Sequence, residues 1–165
     1  MSKYAENMKV LPLQAPVDIV ATATATKYID VGNAVGPIEL AVQFGAITST
    51  DTAGGCTVTI EASTASSSNA TESAIAFRYR LSAAVDTDTM GAITAATATG
   101  VRVLEATDNV VLLCYVEPEQ LAAAGADFKY LRVVETPSAE VTATLVGAVA
   151  RFPARYAGNS MPAST

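Results

Sequence analysis

Apolar and polar residues alternate with a period of two along most of this chain. In "PIELAVQFG", Ile38, Leu40, Val42 and Phe44 fall on one side, and Glu39, Ala41 and Gln43 on the other. "CTVTIEA" sets Cys56, Val58 and Ile60 against Thr57, Thr59 and Glu61, and "AIAFRYRLS" sets Ile75, Phe77, Tyr79 and Leu81 against Ala76, Arg78 and Arg80. "GVRVLEA" places Val101 and Val103 around Arg102. Successive side chains of a strand point to opposite faces, so this period predicts half-buried β-strands. "NVVLLCYVE" is apolar almost throughout and reads as a central strand covered on both faces. "FKYLRVVET" and "AEVTATLVGAVARF" extend the set, and "VDIVATATATKYIDV" is one long strand or two short ones.

The pattern thus predicts about eight or nine strands. Turn signals separate most of them: Asn33 to Pro37, Asp51 to Gly55, Asp108-Asn109 and Pro137-Ser138. One short helix is expected over 118–124, with Pro118 at its start, Glu119 in its first turn and Gly125 as its stop. Many short strands with almost no helix make an all-β fold, and a jelly-roll-like β-sandwich is the architecture expected. "STASSSNATES" reads as an exposed loop tip, and 83–89 as a second loop.

The expected organisation is a single sandwich domain over 17–152 between two arms, 1–16 and 153–165. Each arm carries two or more prolines with no clear period. Each also carries apolar or aromatic anchors, Tyr4, Met8, Leu11 and Leu13 in the first, Tyr156 and Met161 in the second. Disposable tails lack such anchors, so the arms are expected to dock on a neighbour.

Composition sharpens this. The 165 residues suffice for one domain with a real core. Alanine accounts for 32 of them and threonine for 20, while charged residues are only 16%. A surface so poor in charge repels its neighbours weakly and suits a protein covered by other subunits. The net charge of −6, with ten basic residues scattered along the chain, argues against nucleic acid and against an anionic membrane. Cys56 and Cys114 both sit in apolar runs and read as buried thiols, although a bridge between neighbouring strands stays open. The first residues lack the apolar core of a signal peptide, so the expected site of synthesis is the host cytoplasm.

Candidate chemistry is sparse. The chain has no histidine, which removes Ser-His-Asp and Cys-His nucleophiles and His-containing zinc sites. Two cysteines cannot make a four-cysteine zinc site. Neither phosphate-cradling glycine motif occurs. Asp86 and Asp88 could share a face, but "DTDTMGAIT" lacks the pattern of a calcium loop and reads as a turn. Arg78 and Arg80 alternate with Phe77 and Tyr79, whereas base stacking beside neutralised phosphates needs aromatics and arginines on one surface. The arginines are therefore expected to face solvent or a partner. No enzyme, metal or cofactor is expected.

Three longer stretches carry a resemblance: "APVDIVATATATKYIDVGNA", "AIAFRYRLSAAVDTDTMGAIT" and "FKYLRVVETPSAEVTATLVGAVARFPARYAGNSMPAST". They are similar in phrasing to small virion structural proteins of tailed bacteriophages. That resemblance implies a self-associating β-sandwich on the capsid surface, a decoration or cement protein bound to the major capsid protein. It transfers no individual residue. The contacts expected from the residues themselves are Tyr4, Met8, Leu11, Arg78, Arg80, Tyr156 and Met161, together with the loops at 63–74 and 83–90. A tail, neck or fibre-base component and a carbohydrate-binding adhesion module are the alternatives. The second is weakened by six tyrosines without a tryptophan.

Overall fold

Alternation becomes architecture in two antiparallel sheets that enclose one core. The computed structural model describes residues 8–153 apart from 21, 68–70, 84–88, 106–108 and 126. The first sheet has six strands in the order β1 (Met8–Asp18), β12 (Val141–Pro153), β4 (Ile38–Ser49), β10 (Val111–Val116), β7 (Phe77–Leu81) and β8 (Thr94–Ala96). The second runs β2 (Thr24–Ala25), β11 (Tyr130–Pro137), β5 (Gly55–Ser63), β6 (Glu72–Ile75), with β3 (Ile29–Asp30) also on β11 and β9 (Val101–Leu104) also on β5. The fold is an all-β sandwich, as the periodicity predicts. It has twelve strands among the described residues, more than the eight or nine expected, because several two- to four-residue strands are too short to show a period.

The predicted inward positions fill the space between the sheets. Ile38, Leu40, Val42 and Phe44 of β4 are buried, as are Cys56, Val58 and Ile60 of β5. Phe44, Phe77 and Phe152 are the largest fully buried side chains. The cysteines are free and buried, Cys56 on β5 of the second sheet and Cys114 on β10 of the first.

Two local departures have identifiable causes. Residues 8–16, expected within an arm, belong to β1, which pairs with β12 at the edge of the first sheet. Pro12 and Pro16 lack an N–H, which an edge strand tolerates. The register shifts between Pro12 and Gln14 and again between Gln14 and Val17 break the period that would have shown the strand in the sequence. "AIAFRYRLS" is divided at Ala76, with β6 on the second sheet and β7 on the first, so the chain changes layers at one exposed residue. The helix α1 (Pro118–Ala124) sits against that corner, where Gln120 Nε2 donates to the Ala76 carbonyl at 3.0 Å. Gln120 Oε1 in turn accepts from the Glu117 backbone N–H at 2.8 Å and caps the helix start.

One glycine is required by the backbone. Gly100, before β9, has φ 87°, and a Cβ there would meet the Val58 carbonyl oxygen inside contact distance. Gly100→Ala should lower the unfolding free energy by about 2 kcal/mol, readable as a reduced urea midpoint with unchanged slope. A midpoint within error of the parent would show that this turn relaxes freely.

Candidate interaction surface

The two sheets present different outer faces to their surroundings. Cross-strand register places residues of the first sheet in rows. One row runs Val10, Arg151, Glu39, Tyr115, Arg78 and Ala95 across six strands. The next runs Pro12, Val149, Ala41, Leu113 and Arg80, and a third runs Gly147, Gln43 and Val111. Val10 is 58% exposed, Val149 38% and the nearby Leu145 50%. The middle of this face is thus aliphatic and nearly flat, with Ala41 and Gly147 adding little height.

At one end of the face the strands open into a groove of roughly 550 Å³, lined by Met8, Val10, Pro37, Glu39, Tyr115, Arg151 and Pro153. Arg151 crosses it as an ion pair with Glu39, its Nε donating to Glu39 Oε1 at 2.8 Å. Half-burial raises the Tyr115 phenol above its usual range, Glu39 pushes it the same way, and Arg80 and Arg151 oppose the rise. The face carries three arginines (Arg78, Arg80, Arg151) and two acids, Glu39 in the first row and Asp18 opposite Leu145, on a chain whose net charge is −6.

The outer face of the second sheet is polar. Thr57 lies opposite Thr136, Thr59 opposite Val134 and Glu61 opposite Arg132. Arg132 Nη2 lies 2.7 Å from both Glu61 and Glu72, and the guanidinium covers the Tyr28 ring at 4.7 Å. The Tyr28 hydroxyl donates to Glu72, which closes the network. These rows continue to Ala25 and Ala74, and Val134 is the one large apolar side chain in them. This face is satisfied by its own side chains.

The expected contact residues separate accordingly. Phe77 is buried and Tyr79 packs against the core, while Arg78 is exposed on the opposite side, as the alternation requires. Arg80 shares that outer face but is only half-exposed, and its Nε is buried without a hydrogen-bond partner. Met8 lines the groove. Leu11 is a correction: it pairs with Ala150 on the inward side and packs against the core, because β1 is a strand of the sheet and not an arm. Tyr4, Tyr156, Met161, Asp86 and Asp88 lie outside the described residues.

The sequence reading did not single out Val10, Leu113, Tyr115 or Val149. The signal of Leu113 and Tyr115 was present in "NVVLLCYVE", where both parities are apolar. The inward set, Leu112, Cys114 and Val116, is fully buried. The outward set, Val111, Leu113 and Tyr115, is half-exposed, and no second layer lies over it among the described residues. Cover on both faces was the expectation, and among the described residues only one face has it.

No family model matches the chain, and no curated protein matches it. Among solved structures, a chain in the structure of the infectious bursal disease virus Gt strain is similar at a TM-score of 0.24 and 8% identity, over 95% of this chain and 45% of that one. This chain therefore spans less than half the length of that one, and likeness at this level carries no argument.

No group of three or more metal-ligating side chains occurs among the described residues, and no helix there is long and apolar enough to cross a membrane. Burial pushes the Cys56 thiol up to about 12, with a further rise from the nearby Glu135 carboxylate, and burial alone raises Cys114 as well. Glu135 points inward from β11 opposite Val58 and is fully buried, and neither carboxylate oxygen has a hydrogen-bond partner. Desolvation pushes this carboxyl up to about 7, and its own backbone N–H acts weakly against that.

Proposed function

We propose that this protein is a non-enzymatic virion subunit that lays the outer face of its first sheet on a capsid shell as a decoration or cement protein. The observation that carries this reading is the contrast between the two outer faces. An aliphatic face with a groove at its end is costly to leave in water, whereas the opposing face of threonines and closed ion pairs is stable there. A sandwich of this kind adheres by one side only. The resemblance of its longer stretches to small virion proteins of tailed phages supplies the setting, and the low share of charged residues supports cover by neighbouring subunits. Bound across joints between capsomers, such a plate would oppose internal pressure by holding neighbours in register.

The test is binding of purified protein to expanded heads that lack it, followed by heat challenge. The parent should saturate a fixed number of sites and raise the temperature of genome release. Val10→Glu/Val149→Glu should keep its own unfolding temperature and bind at least about tenfold more weakly, since each places a charge in an apolar contact. Equal binding by that variant would overturn the assignment of the face. Absence of binding, with few copies per particle and rings or tubes by electron microscopy, would replace the cement role with a tail or neck role.

A further inference from the structure

Charge is distributed along the sandwich as well as across it. Glu39 and Pro37, at the start of β4, line the groove, and beside it stand Arg151, Arg78 and, one row on, Arg80. Arg78 is exposed with no ion-pair partner among the described residues, and the buried Nε of Arg80 is unpaired. The far end of β4 is acidic. There Ser49 Oγ donates to the Glu140 carbonyl at 3.1 Å, and its backbone N–H donates to Glu105 Oε1 at 3.4 Å. The next turn carries Asp51, whose carboxylate accepts from the Ala53 N–H at 2.9 Å. Three carboxylates, Asp51, Glu105 and Glu140, therefore gather at this tip. The one guanidinium near them, Arg102, has its Nη2 donating to the Ala53 carbonyl at 2.6 Å. Asp51 and Glu140 have no ion pair among the described residues. Groove and tip are separated by the length of β4, twelve residues or about 40 Å.

We infer that the groove receives the 50–54 turn of a second copy of this chain. The inference rests on the reading of this face as a docking surface and names its occupant. The fit is one of chemistry and shape. The tip is a narrow turn of small residues, Thr50, Asp51, Thr52 and Ala53, all exposed. The groove is apolar at its floor, is crossed by the Glu39–Arg151 ion pair and has the exposed Arg78 beside it. Seating the turn brings Asp51 and Glu140, which have no ion pair among the described residues, to Arg78, which has none either, so that each copy supplies a charge its neighbour lacks. Because groove and tip are different surfaces at opposite ends, the contact is head-to-tail. Copies joined this way build a ring if the rotation closes and an open row if it does not. On a shell, the same contact would link subunits whose apolar faces lie on the capsid.

Sedimentation velocity on the free full-length protein tests this without any shell. The parent should show concentration-dependent oligomers. Arg78→Glu, and separately Asp51→Lys/Glu140→Lys, should each weaken association at least about tenfold with unchanged unfolding temperatures. Mixing the two variants one to one should restore association, because each retains the surface that the other has lost. Three outcomes would overturn the inference: a parent that stays monomeric at millimolar concentration, oligomers indifferent to both variants, or variants that dissociate but fail to complement. Each of these leaves binding to expanded heads to be read independently through Val149→Glu alone, because Val149 lies outside the groove, so failure of the head-to-tail contact is distinguishable from failure of the docking face.

Discussion

Glu135→Gln should make the protein more stable at pH 8 and leave it almost unchanged at pH 4. The buried carboxyl of Glu135 holds its proton up to about pH 7, against an ordinary 4.5. A folded-state pKa above the unfolded one means that the fold binds the proton more tightly. The stability linked to this proton is fully present below pH 4.5. It declines as pH rises and is gone once pH has passed through about 7. That interval is worth roughly 3 kcal/mol, a large share of the stability of a domain this size. Urea unfolding of the parent at pH 4, 6 and 8 should show that decline, and the glutamine variant should be flat. Cys56, the nearest other titrating group, does not interfere, since its thiol is pushed up to about 12. A parent whose stability is level from pH 4 to 8 would mean that the Glu135 carboxylate is solvated or paired in solution.

Phe77→Ala and Arg78→Ala should differ as sharply as any two adjacent substitutions in the chain. Phe77 is 1% exposed and lies opposite Ala96 on β8, facing the core, while Arg78 lies opposite Tyr115 on the outer face. Truncating the phenylalanine removes its burial and leaves a cavity, costing about 3–5 kcal/mol. Truncating the arginine should change stability by no more than about 0.5 kcal/mol. In a thermal melt the first corresponds to a fall of roughly 10 °C and the second to almost none. A larger loss at Arg78 than at Phe77 would place β7 one residue out of register, since a slip of one exchanges every inward side chain for an outward one.

How far the sequence could be read depended on whether one strand carried its own signal. β4 and β5 did, because each is long and its inward residues are apolar while most of its outward ones are polar or small. β2 and β3, of two residues each, carry no period, and their place is set by pairing with β11. β1 was hidden by its two prolines and two register shifts. The arginines of β7 were placed correctly by parity alone, but their surroundings were not. That Tyr115 stands beside Arg78 and Leu113 beside Arg80 follows from strand order, which local pattern does not encode. Glu135 shows the same limit. The alternation of "YLRVVETP" sends it inward with Leu131 and Val133, and only the closed sandwich shows that nothing there satisfies it.

The pairing of Met8 with Pro153 puts the start of β1 and the end of β12 side by side at the rim of the groove. Antiparallel hydrogen bonds run perpendicular to the strands. Tension applied between these two points would therefore load the β1–β12 ladder one bond at a time, peeling it like a zipper. Tension applied along the strands through the broad face would load many bonds together and meet far greater resistance. A particle that relied on this subunit for strength would have to pull on its face and keep its ends slack.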